Sequence, residues 1–238
     1  MKKKILVLFL LCTSFCFAQK SNSKKKYLSG NFDLGLNFTK NTEETFQLNS
    51  IFDLNYKLKN HTLTLNNNIA FISKTGQEEL LNKGKQDLKY ELTSKNLNIR
   101  FLIQNLYDID KKIKNRFTTG VGVSYNLFDK KSVNLGITIQ REKENVLGRD
   151  EKLQKRLNSN ILFTKKIKES IAVTLKNSYQ PNLDSFGDFR WISNLSVRLN
   201  LSTQFLLSIN TNFNYDSEPE TGVPESDYQL INNLSYSF

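Results

Sequence analysis

The sequence predicts an all-β fold, an antiparallel up-and-down transmembrane β-barrel of twelve strands. Three observations carry this. Apolar residues recur at every second position in segments of about 10 to 13 residues, the length a tilted strand needs to cross a bilayer and about twice that of the usual soluble strand. Polar connections between the segments alternate between short and long, as a barrel in an outer membrane requires. The chain opens on a short apolar leader and closes on an alternating segment with a terminal aromatic, Phe238.

Composition narrows the class further. Of the 238 residues 38% are hydrophobic and 24% charged, which excludes general disorder. After residue 18 no run of apolar residues approaches the roughly 20 that a membrane-crossing helix needs. One His and two Cys leave too few ligands for a zinc, haem or iron–sulfur centre, so no metal and no cofactor are expected.

Residues 1–18 read as an export signal: Lys2, Lys3 and Lys4 form a basic start, Ile5 to Leu11 an apolar stretch, and Cys16-Phe17-Ala18 a cleavage site that leaves Gln19 as the new N-terminus. Cys12 and Cys16 both lie within this leader, so the exported chain has no disulfide. The bulky Leu11 and Phe15 that precede them disfavour lipid attachment. Loss of the leader lowers the formal charge of +11 by three lysines, and residues 19–26 become a basic periplasmic lead-in to a barrel over 27–238. The basic runs at 24–26, 111–114 and 165–168 read as solvated turns of an exported protein, and no nucleic acid is expected as a partner.

Alternation defines each strand in turn. Leu28, Phe32, Leu34, Leu36 and Phe38 share one face of the first segment, and Phe46, Leu48, Phe52, Leu54, Tyr56 and Leu58 one face of the second. After Lys59-Asn60 the apolar parity becomes odd with Leu63, Leu65, Ile69 and Phe71, as a turn that resets register predicts. The fourth to sixth segments are marked by Leu88 to Leu92, Leu97 to Tyr107 and Phe117 to Leu127, and the seventh to ninth by Val133 to Ile139, Leu153 to Phe163 and Ile171 to Tyr179. Phe189 to Leu199, Phe205 to Tyr215 and Tyr228 to Phe238 complete the set. A soluble sandwich also alternates, but with shorter strands.

The short connections fall at Lys59-Asn60, Ser94 to Asn96, Phe128 to Lys131, Lys165 to Glu169 and Asn200 to Ser202, on the predicted periplasmic side. The outward ones run over Lys40 to Glu44, Thr75 to Gly84, Asp108 to Lys114, Glu144 to Glu151, Gln180 to Gly187 and Asp216 to Ser226. Tyr107, Tyr179, Trp191, Tyr215 and Tyr228 near the outward ends form the expected aromatic girdle. The expected surroundings are the lipid and lipopolysaccharide of a Gram-negative outer membrane.

The stretch from Tyr215 through Glu218-Pro219, Gly222-Val223 and Asp227 to Tyr236-Ser237-Phe238 resembles the closing hairpin of the salt-stress-induced outer-membrane protein family, a domain of unknown function. Tyr179-Gln-Pro-Asn-Leu-Asp, Phe189-Arg-Trp and Leu195-Ser-Val-Arg-Leu are similar to its preceding hairpin. The resemblance implies an outer-membrane barrel linked to salt or envelope stress and implies no biochemical activity. Tyr236 and Phe238 resemble the signal that barrel-assembly machinery reads on its clients, which makes that machinery an expected partner.

Opposite the apolar stripes lies a polar face that would line the lumen. Its charged members are Asp33, Asp53, Asp87, Lys89, Glu91, Arg100, Arg116, Glu142, Arg156, Lys176, Asp188, Arg190 and Arg198. Acids lead in strands one to four and bases in strands five to ten, so a transverse field is one expectation. Pairing of these charges into a narrow or plugged lumen is the other, because buried charges require partners. Small solutes or ions are the expected cargo if the lumen is open. An outer-leaflet lipid-modifying enzyme is the least favoured alternative and no catalytic residue is expected: the single His61 follows a periplasmic turn, and Asp216, Glu218, Glu220, Glu225 and Asp227 flank Pro and Gly in what reads as a solvated loop.

Overall fold

The computed structural model describes residues 27–40, 44–74, 81–128, 132–148 and 151–237. The leader, its Ala18–Gln19 junction, the lead-in and Phe238 lie outside the described residues. Twelve antiparallel strands follow one another: β1 (Leu28–Lys40), β2 (Glu44–Leu58), β3 (His61–Lys74), β4 (Leu81–Ser94), β5 (Leu97–Asp108), β6 (Ile113–Leu127), β7 (Val133–Val146), β8 (Lys152–Lys168), β9 (Ile171–Pro181), β10 (Phe189–Asn200), β11 (Phe205–Asp216) and β12 (Ser226–Ser237). Each pairs with its sequence neighbours, and β12 returns to β1 to close the barrel. That closing seam is short, from Asn31 opposite Ser237 to Leu34 opposite Leu234, whereas β6 and β7 stay in register along nearly their whole length.

The packing is inverted relative to a water-soluble domain. Among the described residues the buried hydrophobic side chains are Ala70, Ile113 and Val146 alone, while the buried polar set includes Asp87, Gln140, Glu142, Glu144, Arg156, Asp188 and Arg190. Leu63, Phe101, Val123, Ile137 and Leu234 lie exposed on the outside, where hydrocarbon takes the place of water. β7 shows the period of two most cleanly, with buried and exposed residues alternating from Asn134 to Val146. Aromatic contacts gather at both rims. Phe189 stacks between Tyr179 and Tyr215 at centroid distances of 5.3 and 5.6 Å, and Trp191 meets Phe213 edge-on, all toward the long-connection end. Phe205 and Tyr236, 5.5 Å apart, mark the other end.

Lys59 and Lys95 adopt left-handed backbone conformations (φ 52° and 53°) in the two-residue turns that join β2 to β3 and β4 to β5. Several connections are tighter than the sequence suggests. β8 continues to Lys168, with a register shift against β9 between Lys166 and Lys168, so the turn is reduced to Glu169 and Ser170. β7 passes through Glu144 because that carboxylate turns inward onto Arg116. β4 already starts at Leu81, three residues before the glycine expected to lie in the loop. Gly84 sits under the ring of Tyr107, and an added Cβ would come within 2.5 Å of it. Gly84→Val is therefore expected to destabilise the barrel by about 1–3 kcal/mol through overpacking, read as a lower urea midpoint, with Tyr107→Ala in the same chain recovering part of the loss.

Candidate functional site: the polar lumen

The charged residues of the lumen fall into three groups. At the long-connection end, β6, β7, β8, β10 and β11 bring three arginines onto four carboxylates. Arg190 Nη1 donates to Glu142 Oε2 at 2.8 Å, Nη2 to Glu144 at 3.4 Å and Nε to Asp216 at 3.2 Å. Arg116 pairs with Glu144 across the β6–β7 register, where the two residues are direct partners. Arg156, only 1% exposed, donates to Asp188 Oδ1 at 2.6 Å, to Gln154 at 3.1 Å and to the Gln180 carbonyl at 3.1 Å, and lies 3.5 Å from Glu142. Asn182 completes the shell of Asp188 with a 2.9 Å bond. Burial disfavours the Asp188 charge, but the bonds from Asn182 and Arg156 outweigh it and hold the carboxyl below the usual carboxylate range. Since β8 and β9 separate β7 from β10, the Arg190–Glu142 pair spans the interior as a chord.

Above this network the connection between β5 and β6 reaches across the mouth. Lys111 pairs with Asp227 at the start of β12, on the far side of the barrel, and Lys112 Nζ donates to the Thr221 carbonyl at 2.5 Å. The loop acids are thus not simply solvated: Asp216 and Asp227 belong to strand ends that run further than the loop signals suggest, and both are engaged by lumen cations.

The middle group centres on β4. Lys85, Asp87 and Lys89 alternate inward, with Asp87 Oδ2 3.4 Å from Lys85 and 3.3 Å from Lys89. Glu91 and Arg100, register partners on β4 and β5, are 2.9 Å apart, and Arg100 also donates to Ser124 at 3.2 Å. Lys176 enters from β9 on the opposite wall, within Coulombic reach of Lys85, Lys89, Asp87 and Arg100. On the β2 wall, Asp53 accepts a hydrogen bond from Asn66, the register partner of Asp87, and feels the charges of Asp33, Arg198 and Lys89.

Each wall carries both signs: lysines stand beside the acids of β4, and acids stand beside the arginines of the β6–β11 wall. Glu144, Asp216, Gln154, Lys83 and Lys85 are members of the lumen that the first reading of the sequence does not single out. Glu144 and Lys85 share the parity of Glu142 and Asp87, the signal that would have found them. The remaining space is a polar cavity of about 650 Å³ lined from β3 round to β12.

His61, the first residue of β3, is at the short-turn end, with Nδ1 2.6 Å from the Tyr90 hydroxyl. Among the described residues no three of His, Cys, Asp or Glu gather as metal ligands.

Solved structures share this architecture. The NanC porin matches with a TM-score of 0.52 at 9% identity, over 89% of this chain and 100% of the porin. The KdgM porin in complex with disordered oligogalacturonate gives 0.49 at 8% over 88% and 99%, and the translocator domain of autotransporter NalP from Neisseria meningitidis 0.49 at 8% over 100% and 96%. At these identities the likeness is one of fold, that of an outer-membrane barrel. No match is found among curated proteins. The profile of one family does match, over residues 32–238, and the chain belongs to that family, the protein of unknown function DUF481.

Proposed function

We propose that this outer-membrane barrel is a narrow pore for small hydrophilic solutes and ions, with no enzymatic role. The observation that supports this best is the polar cavity of about 650 Å³. A lumen packed shut by its own side chains, as in the smallest barrels, would leave no such space, and at roughly 30 Å³ per water it has room for a file of solvent. The leader over residues 1–18, cleaved before Gln19, supports export, and the Tyr236 and Phe238 ending supports delivery by barrel-assembly machinery. The resemblance of the closing hairpin supports a setting in salt or envelope stress.

A second reading, a plugged barrel that serves envelope integrity, is favoured by one observation, the Lys111–Asp227 and Lys112–Thr221 strap over the mouth. Planar-bilayer recording of the refolded mature protein separates the two. Discrete conductance steps are expected, and Asp227→Ala is expected to raise the unitary conductance by releasing the strap. A silent bilayer from protein whose heat-modifiable gel migration shows correct folding would overturn the pore.

A further inference from the structure

We infer that the waist of the lumen is a binding site for a small multivalent oxyanion, a molecule carrying carboxylate or phosphate groups. The inference rests on the pore reading for its biological sense but not for its test. Two of the side chains involved stand on β4 two residues either side of Asp87. Lys85 and Lys89 approach one oxygen of that carboxylate at 3.4 and 3.3 Å, so a single buried acid is shared by two cations. The acid is 3% exposed, while the lysine side chains remain 42% and 36% exposed toward the cavity. Asp87 thus acts as a fixed base plate, and its partners present their ammonium groups to the open space.

Lys176 faces them from β9. Going round the wall in either direction, several strands separate β9 from β4, yet Lys176 lies within Coulombic reach of both β4 lysines and of Arg100. Lys85, Lys89 and Lys176 line one cavity, and Lys176 has no ion pair among the described residues. Arg100 is matched by Glu91, which leaves the waist with four cations against two acids. Asp33 and Asp53 face the lumen from β1 and β2, with Arg198 on β10 and the Asn66 amide beside Asp53. They occupy a different wall and confine an anion to the side of β4 and β9. An excess of fixed positive charge between low-dielectric walls concentrates anions, and ammonium groups from two opposed walls close on several oxygens of one guest better than on a monovalent ion.

The test is calorimetric titration of the folded full-length mature barrel, in non-ionic detergent at low salt, with citrate and separately with pyrophosphate. At least one of them is expected to bind, and Lys89→Gln or Lys176→Gln is expected to weaken it by about tenfold or more, the usual scale for one charge-assisted hydrogen bond. Lys89→Arg retains the charge and is expected to retain binding, and Lys155→Gln, on the outer face of β8, is expected to change nothing. Absence of binding by both anions, or an affinity unchanged from the parent in Lys89→Gln and Lys176→Gln barrels that migrate as folded, would overturn the site. A barrel that binds but does not conduct removes the pore and leaves the site; one that conducts but does not bind does the reverse.

Discussion

Arg190→Met is expected to destabilise the barrel by about 3–5 kcal/mol, the cost of leaving buried charge without its partner. Arg190 is the member of the mouth network that touches three carboxylates, Glu142, Glu144 and Asp216. Without it Glu144 retains Arg116 and Glu142 retains Arg156 at 3.5 Å, but Asp216 loses the cation it shares with them. Three arginines against four acids already leave this network one negative charge in excess, and the substitution raises that to two. The single tryptophan, Trp191, is the next residue and reports unfolding through its fluorescence in a urea titration. Adding Glu142→Gln is expected to restore part of the stability. A midpoint unchanged by Arg190→Met would show that the network contributes little.

Ile137→Lys tests the opposite face of the same wall. Ile137 points outward from β7 between Leu135 and Ile139, is 52% exposed, and stands across from Val123 on β6 and Ser159 on β8. In lipid a lysine near the midplane is expected to cost about 2–4 kcal/mol, less if the ammonium snorkels to the rim. Ile137→Leu is expected to cost less than about 1.5 kcal/mol, since volume and polarity are conserved. Reversible unfolding from lipid vesicles measures both. Adjacent positions of β7 thus answer to different rules: Gln140 and Glu142 must find hydrogen-bond partners, whereas Ile137 and Ile139 need only remain apolar.

The strand number and the strand order were legible because a period of two leaves little freedom once one face must meet hydrocarbon. Strand ends were less so. Parity alone offers Glu144 to β7 without saying that the strand runs that far, and nothing local announces that Leu81 starts β4, because these ends depend on what lies opposite: Arg116 for Glu144 and the Tyr107 ring for Gly84. The ion pairs were harder still. Glu91 with Arg100 and Arg116 with Glu144 follow from register between adjacent strands. Arg190 with Glu142 and Lys111 with Asp227 join strands that are not neighbours, and such pairs depend on barrel diameter and stagger, which no single strand encodes.

The short seam between β1 and β12 makes closure a property of the whole sequence. The first strand to leave the assembly line has one neighbour in β2 and must wait for the last, nearly the full length of the chain later, to cover its other edge. Until then both edges are open templates for a strand of any other molecule, and joining them bears the largest loop-closure cost in the fold. A chain without β12 is left with two sticky borders and no closed wall between lipid and lumen, so the seal depends on the two ends of the sequence meeting.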